Sequence, residues 1–371
     1  MKGENRLFME LSMSQLLALE KITRYARNNR HEAKETINHI LKMSNISDKI
    51  FENAVVKIKA HAKIGLHFHP DRPDSTMKCV AEALLEQGIY KSQFETFISN
   101  GSVSAYPGGE RDLWEKRIFG GAYQLEGTTN NQRPKYGALN LMLHPDGPAP
   151  RFGSCYFLLS PKVSYRSTYT YLDSHQDPKE KGTNKEFDLI LAALLEEAFL
   201  RDFAIGERNL TPASLINHLL VNLERPFTDP ANKEPNRNLN HYIEAQVHGD
   251  ISLKEDVEVL VADPSFKETY VGRILEQICH KYSIDLYWHR GFALMVDEVP
   301  SDFRGPSMPS LAKRIAQNNF IDAKIIGSAV RDLNRNPETW SDRGTYKEVL
   351  QELKLLWHVL VRYGKQNPTL K

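Results

Sequence analysis

The order of helical and strand patterns along this 371-residue chain predicts an α+β fold. Residues 1–60 carry apolar side chains at helical spacing, whereas residues 61–300 mix short strand patterns with helices. A linker rich in proline and serine follows, and residues 301–371 return to helical patterns. We therefore predict a helical N-terminal region (1–60), a central α+β domain (61–300) and a helical C-terminal region (301–371).

The N-terminal region is predicted to form three helices. Ser44 and Asn45 offer a break before the third, which is suggested by residues 50–58. The apolar residues that recur at helical spacing before this break are Leu16, Leu17, Leu19, Ile22, Tyr25, Ile37, Ile40, Leu41 and Met43. One interpretation is a helical cap packed on the central domain, and the other is a helical module that binds a partner.

The composition is that of a soluble globular protein. The formal net charge is +1, so we expect no nucleic-acid partner. No apolar run reaches the length of a membrane span, and the N-terminus lacks the apolar segment of a signal peptide, so any export needs another route. The three cysteines, Cys79, Cys155 and Cys279, lie far apart, which favours a reducing compartment over a disulfide scaffold or a zinc finger.

The central domain begins with a strand pattern at residues 64–72 that ends in a polar turn. A helix is predicted to follow from Thr76, as its cap, to about Gln87, with Gly88 at the C-cap position. The segment after this helix is polar and aromatic and closes at Asn100-Gly101, so we predict a structured loop there.

Three polar residues of the first strand, His67, His69 and Asp71, share one strand face. Two histidines at i and i+2 with a carboxylate can ligate a divalent ion. However, the HExxH motif is absent and no second ligand cluster lies nearby, so we predict no metal site. A structural histidine pair is one alternative, and a strand end that binds phosphate or ribose hydroxyls is the other.

Residues 102–150 are rich in glycine and proline, yet the Rossmann GxGxxG and P-loop GxxxxGK[ST] motifs are absent. Strands are predicted at 136–141, 152–159 and 163–172, and the clearest helix of the chain at 186–203. The further predicted elements are a helix from Thr211, a helix after Ser265 to about Lys281, strands at 284–288 and 292–296, and helices near 310–318 and 343–363.

Residues 239–265 carry the candidate catalytic residue. They begin as a strand in which Tyr242, Glu244, Gln246 and His248 alternate with three apolar residues. A short helical turn and a second strand follow. The pattern alone favours an edge strand with a solvated polar face. Glu244 becomes a catalytic candidate only if residues from elsewhere in the chain join it.

Three segments of the chain resemble an ADP-ribosyltransferase. They are the strand and turn at 67–72 with the following helix, the loop at 87–101, and the Glu244 strand with the short helix and strand after it. More closely, residues 67–264 resemble a bacterial family long filed as a domain of unknown function. That family includes secreted effectors that ADP-ribosylate host ubiquitin on a threonine.

The resemblance implies a split β-sandwich that binds NAD, as a co-substrate, in an open cleft. It also implies that an arginine, an aromatic residue and a glutamate bind NAD and catalyse the reaction. In this sequence the matching residues are Glu244 for the glutamate, Arg72 for the arginine, Phe94 or alternatively Phe97 for the aromatic residue, and His69 and Gln246 as further residues on the NAD side.

The residue two positions before the glutamate bears on the acceptor. Arginine-specific transferases carry an acidic residue there, whereas this chain has Tyr242. The resemblance therefore favours a hydroxyl acceptor, a threonine of ubiquitin, and implies an effector toxin that a secretion system delivers into the host cytoplasm. Two alternatives stay open. One is a histidine-based hydrolase or metalloenzyme at His67, His69 and Asp71, and the other is an interaction protein without catalytic activity.

Overall fold

A mixed sheet of eight strands forms the centre of the protein. The computed structural model describes residues 11–74, 77–98 and 105–366. With strands numbered along the chain, the sheet order is β12 (Asp285–Trp288), β11 (Val257–Ala262), β4 (Cys155–Leu159), β1 (Ile64–Phe68), β3 (Lys135–Leu139), β9 (Ile243–Val247), β5 (Ser167–Tyr171) and β6 (Lys181–Thr183). Among the strands in these ranges, only β11 and β12 pair in parallel. The predicted mixed α+β fold is confirmed.

Helices pack against the sheet, and in the described part of the chain three short strand pairs lie outside it. The helices are α1 (Met13–Met43), α2 (Asp48–His61), α3 (Val80–Gln87), α4 (Gln93–Thr96), α5 (Glu110–Phe119), α6 (Asp188–Arg201), α7 (Pro212–Asn222), α8 (Leu253–Asp256), α9 (Tyr270–Tyr282), α10 (Met308–Ile315), α11 (Ala323–Arg335) and α12 (Tyr346–Tyr363). The short pairs are β2 (Ile89–Tyr90) with β10 (Ile251–Ser252), β7 (Phe203–Ala204) with β8 (Glu207–Arg208), and β13 (Ala293–Met295) with β14 (Phe320–Asp322).

The sheet opens between β1 and β3. These strands pair only at Ile64 with Leu139 and at Gly65 with Ala138. The rest of β1 pairs with β4, and the rest of β3 pairs with β9. Gly137 permits the close approach beside the last pair, since a β-carbon there would lie 2.7 Å from the Gly65 carbonyl oxygen. Past this point the two strands separate and leave a cleft between them.

The strand that carries Glu244 lies in the interior of the sheet. β9 pairs with β3 on one side and with β5 on the other, and all five of its residues are buried. The interpretation of an edge strand with a solvated face is therefore wrong. It fails because the polar side chains of β9 find hydrogen-bond partners on neighbouring strands instead of water.

The N-terminal helices pack on the rest of the protein. Ser12 caps α1, because its side chain accepts a hydrogen bond from the backbone N–H of Gln15. The long helix α1 packs against α6 and β6, and α2 packs against α7. Ile37, Ile40 and Leu41 of α1 belong to the main apolar core.

The first helix of the central region starts later than predicted. Cys79 is the N-cap residue of α3, and Glu82 accepts a hydrogen bond from its backbone N–H at 2.6 Å. The predicted cap Thr76 and the Asn100-Gly101 turn lie outside the described residues. The predicted loop after α3 contains β2 and the single turn α4.

The C-terminal helices pack into the same apolar core as the sheet. Leu356, Trp357 and Leu360 of α12 are buried there, and the Trp357 indole N–H donates to the Pro150 carbonyl at 2.9 Å. The helix α11 was not predicted. The division of the chain at residue 300 stays a prediction. Within the described ranges, no helix is long and apolar enough to cross a membrane.

Candidate active site

A cleft of about 570 Å³ lies where β1 and β3 separate. Its volume falls in the range of roughly 300–1,000 Å³ that is typical of ligand pockets. The side chains that line it include His67, His69 and Arg72 from β1 and its turn, Arg111 and Trp114 from α5, Tyr136 from β3, Asp173 after β5, Glu244 from β9, and Lys354 and His358 from α12. The cleft therefore collects groups from segments far apart in the chain.

Glu244 lies in the wall of this cleft with 6% of its surface exposed. Its Oε1 accepts a hydrogen bond from Gln246 Nε2 at 2.9 Å, and its Oε2 accepts a longer one from Ser174 N at 3.4 Å. The pKa of Glu244 is raised to about 7, first by burial and then by the charge of Asp173, while Ser174, Gln246 and Arg111 act in the opposite direction. A carboxyl group that titrates near neutral pH suits proton transfer.

A chain of buried hydrogen bonds continues from Glu244 through the sheet. Gln246 donates to Glu244, and Gln246 Oε1 accepts from Thr168 Oγ1 at 2.8 Å. Thr168 Oγ1 also contacts His248 Nε2 at 3.1 Å, and the Tyr123 hydroxyl contacts His248 Nδ1. Because the Thr168 proton goes to Gln246, its oxygen accepts the proton of Nε2, and Nδ1 accepts from Tyr123. Every donor in the chain thus points towards Glu244.

The protonation states of His248 and Tyr123 support this direction of the hydrogen bonds. Burial lowers the pKa of His248 to about 3, so its imidazole is neutral and carries one donor and one acceptor. Burial raises the pKa of Tyr123 well above its ordinary value, so the phenol keeps its proton. The orientation of the Gln246 amide is therefore fixed by a hydrogen-bonded series that ends at the Tyr123 hydroxyl.

Arg111 lies above two aromatic rings on another wall of the cleft. Its guanidinium carbon is 4.4 Å from the centroid of Trp114 and 4.8 Å from that of Tyr136. The Tyr136 hydroxyl donates to Glu115 Oε1 at 2.8 Å, and Arg133 donates to the other oxygen of Glu115 at 2.8 Å. This buried network holds the rings in place and keeps a positive charge near Glu244.

Arg72 and His69 also line the cleft. Arg72 is buried, and its Nη1 has no hydrogen-bond partner in the described part of the chain. The His69 ring lies edge-on to Trp357 with centroids 5.1 Å apart, and burial followed by the charge of Arg72 lowers the pKa of His69 well below its ordinary value. An unpaired buried guanidinium nitrogen costs free energy until a ligand pairs with it.

The two candidate aromatic residues lie in different surroundings. Phe94 is 1% exposed, does not line the cleft, and has the Arg133 guanidinium 4.3 Å from its ring centroid. Phe97 lines the cleft and is 66% exposed. The arrangement therefore favours Phe97 over Phe94 as a ring that a ligand can reach.

Tyr242 is buried behind the cleft wall. Its hydroxyl donates to Asp173 Oδ2 at 3.0 Å, and its ring packs edge-on against Phe152 with centroids 5.7 Å apart. Asp173 and Phe152 line the cleft, whereas Tyr242 itself does not. Gln246 is likewise buried and acts on the cleft through its bond to Glu244.

Both ring nitrogens of His67 are hydrogen-bonded to the backbone, and Asp71 is buried against a neighbouring helix. His67 Nε2 accepts from Ala149 N at 3.2 Å, and its Nδ1 therefore donates to the Gly153 carbonyl at 3.2 Å. Asp71 packs on α11, where a β-carbon at Gly327 would lie 1.5 Å from Asp71 Oδ2. In the ranges that the structure describes, no group of three or more His, Cys, Asp or Glu residues could hold a metal ion.

Sequence reasoning missed Arg111, Trp114, Tyr136, Lys354 and His358. Arg111 and Trp114 lie three apart on α5, and Lys354 and His358 lie four apart on α12. Such spacing occurs on any solvated helix face, so it carries no local signal of a site. These residues line the same cleft as Glu244 because of long-range packing.

A model of a protein family described as a protein of unknown function (DUF3626) matches residues 63–363. The match starts one residue before β1, ends with α12, and contains every cleft residue named above. It covers far more than half of the chain. A comparison with curated proteins finds no match.

Proposed function

The chain belongs to the DUF3626 family, and we propose that it is an NAD-dependent mono-ADP-ribosyltransferase that modifies a protein side chain. The observation that carries the proposal is Glu244, a buried carboxyl group with a pKa of about 7 in the wall of a cleft. The same cleft is lined by Arg72, whose buried Nη1 has no hydrogen-bond partner among the residues that the structure describes. The reaction needs a carboxylate that stabilises positive charge and a cation that binds phosphate.

The residues of the cleft fit NAD. Arg72 offers a buried donor to a diphosphate oxygen, and its planar fork suits two oxygens at once. Phe97 offers a free ring face on which nicotinamide can stack. His69 lines the same wall as Arg72, and its neutral ring suits a ribose hydroxyl.

Glu244 has two roles in the proposed reaction, stabilising positive charge and accepting a proton. Cleavage of the bond between nicotinamide and ribose C1′ passes through a cation-like state, as glycoside hydrolysis does. Ionised Glu244 stabilises this positive charge. The acceptor oxygen then forms a bond to C1′, and Glu244 takes its proton. Nicotinamide leaves as a neutral molecule with the electron pair of the broken bond.

The separation of β1 and β3 supports the fold part of the proposal. A sheet that pairs over two residue pairs and then opens has the character of a split β-sandwich. We propose that the fold is of the ADP-ribosyltransferase type, with helical additions at both ends. The cleft with Glu244 lies at the split, where such a fold would bind NAD.

The proposed acceptor is a hydroxyl, namely a threonine of ubiquitin. A guanidinium acceptor has a pKa above roughly 12 and needs help from a second carboxylate. The nearby carboxylate, Asp173, already accepts hydrogen bonds from His175 N at 2.9 Å and from the Tyr242 hydroxyl at 3.0 Å. Glu244 alone suffices for a hydroxyl. In this proposal the protein is a bacterial effector that a secretion system delivers into host cytoplasm, where modified ubiquitin no longer supports ubiquitination.

Incubation of the purified protein with labelled NAD and ubiquitin tests the proposal. We expect ubiquitin to gain the mass of one ADP-ribose, with and without a chelator. A host lysate extends the test to other acceptors. Absence of label on every protein would refute the transferase and leave the interaction protein. Hydrolytic activity that a chelator abolishes would favour the metalloenzyme.

The linkage of the product is a first prediction. We expect the ADP-ribose on ubiquitin to resist neutral hydroxylamine, because the bond to a threonine hydroxyl lacks the reactive carbon of arginine or carboxyl linkages. Mass spectrometry before and after treatment measures the retained label. A standard protein modified on arginine serves as the control. Ready release of the label would overturn the hydroxyl acceptor and with it the ubiquitin threonine.

A second prediction concerns NAD affinity. Arg72→Ala should weaken NAD binding by about 1.5–3 kcal/mol, the scale of one hydrogen bond to a charged group. Calorimetry measures the dissociation constant. Arg117→Ala, which removes an exposed arginine of α5, is the matched control and should change nothing. Thermal unfolding of both variants detects any loss of structure. An unchanged constant for the Arg72 variant would remove this residue from the site.

A further inference from the structure

The long helix α1 packs against two separate parts of the protein. Its second half contributes Ile37 and Ile40 to the main apolar core. Its first half contributes Ala18 and Ile22 to a second apolar cluster. Further buried members of this cluster lie on α5 and in the turn after it, and they are Trp114, Ile118, Phe119, Ala122 and Tyr123. The first half of α1 therefore packs on α5, which forms one wall of the cleft.

Two further contacts fix the first half of α1 to the same region. Gln15 Nε2 donates to the Gln132 carbonyl at 2.9 Å. Gln132 precedes Arg133, which pairs with two carboxylates of α5. The Lys21 stem crosses the C-terminal end of α5, where a β-carbon at Gly120 would lie 3.1 Å from Lys21 Cε. The helix α1 is thus tied to α5 both directly and through Arg133.

Two routes of contacts lead from the second cluster to Glu244. The first runs through Trp114, whose ring lies edge-on to His175 with centroids 5.1 Å apart. The residue before this histidine, Ser174, donates its backbone N–H to Glu244 Oε2 at 3.4 Å. The second runs through Tyr123, whose hydroxyl is the first donor of the hydrogen-bond chain to Glu244. A displacement of α5 would therefore change the surroundings of Glu244 from two sides.

We propose that α1 positions the wall of the cleft, with Ala18 and Ile22 holding α5 and Tyr123 where they act on Glu244. Neither Ala18 nor Ile22 lines the cleft, so both are positioning residues. The family match begins at residue 63, so this helix lies outside it. The position of the wall is independent of the reaction, whereas the effect of α1 on transfer rests on the proposed function.

Fluorine NMR of the full chain labelled with fluorotryptophan tests the position of the wall without any reaction. The signal of Trp114 is the one that Trp114→Phe removes. Ile22→Ala should shift or broaden this signal, because the cavity that it leaves lies in the cluster that contains Trp114. Ile40→Ala is the matched control. It removes the same side chain from the other half of α1, which packs in the main core, and should leave the Trp114 signal unchanged.

Thermal unfolding of the variants separates positioning from loss of stability. Both alanine variants should lower the melting temperature by similar amounts, since each removes a buried isoleucine side chain from the same helix. Ile22→Val keeps most of the volume, so it should change the Trp114 signal in the same direction by a smaller amount. It also provides the readout if Ile22→Ala does not fold. An unchanged signal in the Ile22 variants, or an equal change in Ile40→Ala, would overturn the inference.

The groups that surround Glu244 come from several elements. They are Asp173 and Ser174 of the loop after β5, Gln246 of β9, Arg111 of α5, and the neutral phenols of Tyr136 and Tyr242. Burial and then the charge of Asp173 raise the pKa of Glu244. Gln246 and Arg111 lower it. The helix α1 positions Arg111 through α5, and Gln246 through Tyr123 and the hydrogen-bond chain. A displaced wall should therefore raise the pKa of Glu244.

The pH dependence of transfer gives a second readout. In Ile22→Ala we expect the midpoint to move to higher pH, with a several-fold loss of rate at pH 7 that is mostly recovered at pH 9. Ile40→Ala should keep the natural midpoint. An unmoved midpoint in Ile22→Ala would overturn the effect of α1 on Glu244. Absence of transfer by the natural protein would refute the proposed function, and the Trp114 signal would then decide whether α1 positions the wall.

Discussion

Glu244→Gln is expected to reduce ADP-ribose transfer by about a thousandfold and to leave NAD affinity nearly unchanged. The substitution keeps the shape of the side chain and removes the negative charge. That charge acts when positive charge develops at C1′, so its loss should lower kcat more than it raises KM. Transfer of label to ubiquitin, followed over time at saturating NAD, measures the effect. Glu196→Gln, on the exposed side of α6, is the matched control.

The same substitution should stabilise the fold at pH 8. The pKa of Glu244 in the folded protein, about 7, lies above its ordinary value, so folding disfavours the ionised form. The resulting penalty appears as pH rises from about 4.5 and is complete above about 7. Removing it should raise the free energy of unfolding by about 1–3 kcal/mol at pH 8, and by little near pH 4. A variant that is both inactive and less stable would indicate a structural role for Glu244.

The sequence carried enough information to identify β9 and its polar face, but not its place in the sheet. Period-two alternation puts Glu244, Gln246 and His248 on one side, and their hydrogen-bond chain lies on that side. The same pattern also describes an edge strand. The difference arises from Thr168 of β5, which is distant in sequence and supplies the partners that replace water.

Of two further features, one had a clear signal in the sequence and the other had none. Helix α11 repeats apolar residues at helical spacing after a capping aspartate, Asp322, and was predictable. The burial of Lys354 in the cleft wall was not predictable, because its position on an amphipathic helix resembles that of many solvated lysines. Its burial follows from how Trp357 docks α12 against the turn near Pro150. Long-range packing of this kind leaves no local pattern.

The rate of transfer by the natural protein should rise with pH through about 7, as Glu244 becomes ionised. Gln246→Met should shift this rise to higher pH and lower the rate at pH 7 about tenfold or more. The lost hydrogen bond, 2.9 Å from Gln246 Nε2 to Glu244 Oε1, stabilises the ionised carboxylate, so its absence raises the pKa of Glu244. At pH 9 the carboxyl group ionises in the variant too, and most of the activity should return.

The hydrogen-bond chain behind Gln246 predicts that substitutions along it shift the pH profile by graded amounts. Such a gradient distinguishes loss of Gln246 orientation from simple damage to the fold. Thr168→Val frees the Gln246 amide to rotate, so it should shift the pH profile in the same direction by a smaller amount. Tyr123→Phe removes only the far end of the chain and should shift the profile least. Structural damage would lower the rate equally at every pH and would follow the loss of thermal stability. A positioning role instead moves the midpoint of the profile, and the shift should diminish with distance from Glu244. Equal losses at pH 7 and pH 9 in all three variants would contradict the proposed action of Gln246 on Glu244.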